Sequence, residues 1–133
     1  MIRFALLVFC LTLLQTPSDA GVFDWVGSNS CGDEKTHDYY FGQWQPYLRL
    51  LYMDHPKFDS KLMRVRSEEL TYPVKGQAQG GIISYIEVTD VRKDGTGGCV
   101  YIKNGGVGSR NVTLKLKTQR NHGMEFIIRI FGY

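Results

Sequence analysis

The chain has 133 residues, a formal net charge of +3, 13% aromatic residues and 15 glycines. A balance so close to neutral excludes a dedicated nucleic-acid binder, whose basic stripe would show in the total. Abundant glycine and frequent aromatics suit a loop-rich β protein better than a helical one.

The chain opens with a processing segment. Arg3 supplies a positive n-region, Phe4 to Leu14 is an uncharged apolar run, and Ser18-Asp19-Ala20 places small residues where a signal peptidase cuts. The run is roughly half the ~20 residues that a membrane span needs. Residues 1–20 are therefore expected to be a signal peptide, and no later stretch approaches a transmembrane segment. About 113 residues remain, enough for one domain, 21–133, with its own core. Cys10 leaves with the leader, so Cys31 and Cys99 remain. An even pair in an oxidising compartment suggests one disulfide, worth about 3–5 kcal/mol on the chain-entropy model. Two separate thiols are the alternative, because spacing does not show whether the Cα atoms approach.

Val22, Phe23, Trp25 and Val26 read as a short first strand, ending at Gly27-Ser28-Asn29-Ser30. Asp33 to Asp38 reads as loop. Tyr39 to Pro46 has strand-type residues, but Pro46 argues against a central strand. Tyr47 to Met53 fits neither period cleanly and is read as strand from its surroundings. Asp54 to Ser60 is a turn segment around Pro56. Leu62 to Tyr72 alternates with mixed faces, as an edge strand does, and ends at Pro73.

From Ile82 the alternation is cleaner. Ile82, Ser84, Ile86 and Val88 share one face; Ile83, Tyr85, Glu87 and Thr89 share the other. Asp94-Gly95 is a hairpin-type pair, with Gly98 to Asn104 as the returning strand. In Val112 to Thr118, Val112, Leu114 and Leu116 point in and Thr113, Lys115 and Lys117 point out. In Met124 to Phe131, Met124, Phe126, Ile128 and Ile130 face inward. Ile127 and Phe131 make the other face unusually apolar, which fits a strand near a sheet centre or beneath the aromatic N-terminal half. Seven or eight strands with short connections predict an all-β, single-domain antiparallel β-sandwich, with an open β-barrel as the alternative.

Tyr85-Ile86-Glu87-Val88-Thr89-Asp90, Asp94-Gly95-Thr96-Gly97-Gly98, Asn104-Gly105-Gly106-Val107-Gly108, the run Asn111 to Arg120 and the closing Gly123 to Gly132 resemble the multiprotein bridging factor 2 family of arthropods. Proteins called probable salivary secreted peptides belong to it. The likeness covers residues 65–133 and an N-terminal island at 26–33, where Cys31 stands in place of the family's usual proline. Residues 34–62 read as a divergent insert. The resemblance implies a small secreted arthropod protein of saliva, haemolymph or epithelial secretion. It also carries a second role, a transcriptional co-activator that bridges protein partners without binding DNA. It supplies no catalytic residues.

The residues themselves give no strong chemistry. His37, His55 and His122 are scattered through expected exposed loops, without metal-ligand spacing. Asp90 and Asp94 bracket a turn but lack the alternating ligands of a calcium loop, so Asp90 is expected to cap backbone N–H groups and Asp94 to supply turn chemistry. Gly95, Gly97, Gly98, Gly105, Gly106 and Gly108 are read as structural turn residues; no Lys-Ser or Lys-Thr pair follows Gly108, which excludes a phosphate loop. No triad order supports a hydrolase. Lys103, Arg110, Lys115, Lys117, Arg120 and Arg129 are candidates for one basic face toward an anionic glycan or lipid, with Lys115, Lys117 and Arg120 its best members; an ordinary solvated face is the alternative. Trp25, Tyr39, Tyr40, Phe41, Trp44 and Tyr47 either line a partner surface or cover the core. Asn111-Val112-Thr113 is an N-glycosylation sequon, and Asn29-Ser30-Cys31 a weaker variant. The reading is a secreted, non-enzymatic binding protein with no cofactor or metal. Its partner is an unknown protein or small-molecule ligand, with neither nucleic acid nor a membrane span involved.

Overall fold

The computed structural model describes residues 37–133. The expected leader, the first strand at 22–26, Trp25, Asn29 and Cys31 lie outside the described residues. The described residues are all-β, with eight strands in two antiparallel sheets and no closed barrel. The strands are β1 (Tyr39–Gly42), β2 (Arg49–Asp54), β3 (Lys57–Phe58), β4 (Ser67–Tyr72), β5 (Ile83–Asp90), β6 (Cys99–Gly105), β7 (Val112–Lys117) and β8 (Met124–Gly132). The larger sheet runs β1-β5-β8-β2, with β3 continuing along β8 beyond β2; the smaller runs β4-β7-β6.

Alternation builds the core between them. β8 buries Met124, Phe126, Ile128 and Ile130 at 0% exposure, and β7 answers with Val112, Leu114 and Leu116. Each fully buried side chain of this size contributes about 1.5–3 kcal/mol relative to exposure. The sheets also meet at their margins. Tyr52 of β2 lies 5.3 Å, centroid to centroid, from Tyr72 of β4. At another margin the β6–β7 hairpin bonds the larger sheet, with Ile83 N–H donating to Ser109 O and Gly108 N–H to Ile83 O, both at 2.8 Å.

Pro46 lies outside any strand, and β1 is an edge as its neighbourhood implies. β4 is likewise an edge, but it starts at Ser67 rather than Leu62. Met63 adopts a φ of 56°, in the left-handed region, and that breaks the extension. The expected turn at 54–60 contains the two-residue β3.

Two further expectations are corrected. A register shift between Ile83 and Tyr85 moves Ile83 into the core with Ile86 and Val88, so the strict two-residue reading of its face fails there. β6 is not the hairpin partner of β5. Both edges of β5 are taken, by β1 and β8, so residues 91–98 cross to the other sheet.

Candidate functional site

Two places concentrate polar or exposed chemistry. The first is a buried latch at the end of β5. Asp90 is 0% exposed; its Oδ2 accepts the His37 N–H at 3.2 Å and its Oδ1 accepts the Arg92 N–H at 2.9 Å. In return Asp90 N–H donates to Asp38 Oδ1 at 2.8 Å, and Lys93 Nζ donates to the same carboxylate at 3.0 Å. A Cβ on Gly97 would stand 2.5 Å from Asp90 Oδ2, so Gly97 answers to close approach and has no positive φ. Gly98 is similar, its Cβ position lying 2.7 Å from Lys117 O. Gly95, Gly105, Gly106 and Gly108 do take positive φ. Asp94 caps its turn through Thr96, accepting both N–H and Oγ1–H, and these bonds hold its carboxyl below the usual carboxylate range.

His37, expected in an exposed loop, is buried at 1%, fixed by its backbone bond to Asp90 and by Nδ1 3.3 Å from Tyr39 Oη. His55 lies 2.7 Å from Glu125 on the surface. Among the described residues, no group of three or more His, Cys, Asp or Glu side chains is placed to hold a metal ion.

The second place is the outer face of the larger sheet. The register puts Tyr40, Glu87, Arg129 and Met53 in one row across β1, β5, β8 and β2. A parallel row holds Gly42, Tyr85, Phe131 and Leu50. Tyr40, Leu50 and Met53 are 60%, 50% and 53% exposed. Tyr85 and Phe131 pack at 5.8 Å between ring centroids. Arg129 Nη1 donates to Glu87 Oε1 at 3.0 Å in the middle of the face. Burial pushes the Tyr85 phenol up, with the neighbouring Glu87 carboxylate adding to it. Beyond the second row, Tyr47 and Tyr133 meet edge to face at 6.4 Å, both largely exposed. The aromatics expected as one group are divided: Tyr39 and Phe41 pack against the core, while Tyr40, Trp44 and Tyr47 face solvent.

The six cations do not share one face. Lys115 lies outward on β7 with Glu69 and Tyr101 as cross-strand neighbours, and Lys103 Nζ reaches Glu69 Oε1 at 2.5 Å. Lys117 is half-buried beside Cys99. Arg120 donates to Met63 O at 2.7 Å from the β7–β8 turn, and Arg110 donates to Gly80 O. Arg129 belongs to the opposite sheet. Asn111 is exposed at the start of β7, and Cys99 is 3% exposed at the start of β6. The sequence reading missed Leu50, Met53 and Glu87, and grouped Arg129 with the cations of the other sheet rather than with this face. The doubly apolar β8, with Ile127 and Phe131 on its second face, was the signal that pointed toward them.

A family model described as transcription activator MBF2 matches residues 41–132. The chain belongs to this family. It is also 30% identical over 128 residues to a probable salivary secreted peptide of Bombus ignitus, covering 96% of this chain and 91% of that protein. No solved structure matches the chain. The family match takes in all of β1, β2 and β3 except the first two residues of β1, so these strands stand inside the region that defines the family. Among the described residues no helix is long and apolar enough to cross a membrane.

Proposed function

We propose that this MBF2-family chain is a small secreted arthropod protein that acts by binding rather than by catalysis. The observation that carries it is the relationship to a salivary secreted peptide over 96% of the chain, which leaves too few unmatched residues to exclude the leader-like segment. The exposed Tyr40, Leu50 and Met53 on the outer face of the larger sheet support binding as the activity, since clusters of exposed apolar side chains mark interaction sites. In this reading residues 1–20 are removed. Cys31 pairs with Cys99, which is buried at 3% exposure. Asn111, exposed at the end of a hairpin, accepts an N-linked glycan. Lys115 remains a candidate contact for an anionic ligand, with Lys117 and Arg120 near it in sequence.

The family description favours a second reading, a co-activator that bridges proteins without touching DNA. Expression of the full chain in insect cells separates the two. Secretion predicts protein in the medium that begins at Gly21, carries a disulfide and loses mass on treatment with an N-glycosidase. Recovery from the nucleus with Met1 to Ala20 intact contradicts it.

A further inference from the structure

We infer that the outer face of the five-stranded sheet is the interface of a twofold-symmetric dimer of this chain. An isologous interface must be complementary to itself, and the two rows on this face have that property. A twofold axis parallel to the strands, running between β5 and β8, reverses each row against its copy. Glu87 then faces Arg129 of the second copy, and Arg129 faces its Glu87. Tyr40 falls opposite Met53, a sulfur–aromatic pairing. In the second row Tyr85, only 9% exposed in the single chain, falls opposite the half-buried Phe131, so that row's contact rests chiefly on Leu50 at its end.

The sheets would pack face to face with nearly aligned strands, the usual geometry of stacked sheets. The charges sit where the symmetry needs them, adjacent to each other and at the centre of the face, with 26% and 36% of their side chains exposed. Apolar side chains flank them at both ends of the row, Tyr40 at 60% and Met53 at 53% exposure, and Leu50 at 50% ends the neighbouring row. An ion pair surrounded by exposed apolar groups gains strength as the second copy removes water around it. This inference does not depend on secretion and fails or stands separately from it.

Charge exchange tests it in a way that a merely structural role of the pair does not pass. Sedimentation equilibrium of the purified protein across a wide concentration range should show a monomer–dimer equilibrium. Glu87→Arg makes the centre of both faces wholly positive, and Arg129→Glu makes it wholly negative. Each variant alone should be a monomer with the wild-type circular dichroism spectrum. Mixed together, they should form a heterodimer. Leu50→Lys and Met53→Lys, at exposed positions that leave the fold intact, should each weaken the dimer by about tenfold or more, as hot-spot truncations do. Wild-type protein that stays monomeric at every concentration overturns the proposal, and leaves the face to the chain's own N-terminal segment or to another protein. A dimer that tolerates both lysine substitutions also overturns it, because the interface then lies elsewhere. So does a mixture of the two charge variants that does not associate.

Discussion

Replacing Asp90 with alanine should be among the most damaging single polar substitutions in the described chain. The carboxylate is 0% exposed and accepts two backbone N–H groups, from His37 at 3.2 Å and Arg92 at 2.9 Å. Hydrogen bonds to a charged group contribute about 1.5–3 kcal/mol each, and an unsatisfied buried donor bears the cost of its lost hydration. His37 is itself buried, so its N–H gains little from solvent when the acceptor goes. The sum is a destabilisation of about 3–5 kcal/mol for Asp90→Ala. Asp90→Asn keeps one acceptor oxygen and turns an amide donor toward the other N–H, so its cost should lie at about half that value or a little more. Urea unfolding followed by tryptophan fluorescence measures both, with Asp59→Ala, an exposed loop carboxylate, as the control expected within about 0.5 kcal/mol of wild type. An Asp90→Ala midpoint indistinguishable from the control would show that the latch contributes nothing, and that His37 is held by packing alone.

Other expectations follow from burial and charge. Leu114→Ala, at 0% exposure between the sheets, should cost about 2–5 kcal/mol in the same unfolding assay, whereas Leu62→Ala, 85% exposed, should change stability by under about 0.5 kcal/mol; equal effects would contradict the assignment of the core. Burial raises the phenol pKa of both Tyr52 and Tyr85, with Asp54 and Glu87 adding to it, so an ultraviolet titration of the protein should lose a late-ionising component in the Tyr52→Phe and Tyr85→Phe variants. A phenol with a raised folded pKa loses stability as pH rises from its unfolded to its folded value, so Tyr85→Phe should flatten the alkaline fall in stability; an unchanged alkaline limb would argue against it. Asp94 has the opposite sign. Its folded pKa is depressed, so its contribution is present above the unfolded carboxylate pKa and is lost as pH falls through the folded value. Asp94→Asn should therefore lose part of the acid limb of the stability profile and leave the alkaline limb in place, as read by thermal melts over pH.

How far the fold could be read in advance depended on how strictly each strand kept a two-residue period. β7 alternates without interruption, and Val112, Leu114 and Leu116 are all buried as its pattern implies. β8 is legible for the same reason, including its position between two partners. β5 is legible only beyond its bulge, because an inserted residue at Ser84 reverses the side-chain parity of Ile83. At Asp94-Gly95 the Asp94 carboxylate accepts from Thr96 and Gly95 takes a positive φ, but such local turn chemistry does not say which sheet the next strand joins, and no hairpin forms there. That choice rests on the long-range pairing of β5 with β1. The burial of His37 was hidden for a similar reason: its partner, Asp90, lies 53 residues away. The exposed face was half legible. Ile127 and Phe131 announced a second apolar surface on β8, but the row of Tyr40, Glu87, Arg129 and Met53 exists only once four strands are in register. Tyr40, Leu50 and Met53 all come from residues 34–62, the segment the sequence reading set apart as divergent.

Two methionines make the decisive comparison. Met53 lies on the outer face of the larger sheet at 53% exposure, while Met63 lies in the turn before β4 at 71% exposure and away from that face. Oxidation by dilute peroxide, read by peptide mass after quenching, reports the accessibility of each thioether. If the face is an interaction surface closed by a second copy, Met53 should be protected in concentrated protein and become reactive on dilution, with Met63 oxidising at the same rate throughout. Equal and concentration-independent oxidation of the two would contradict the account.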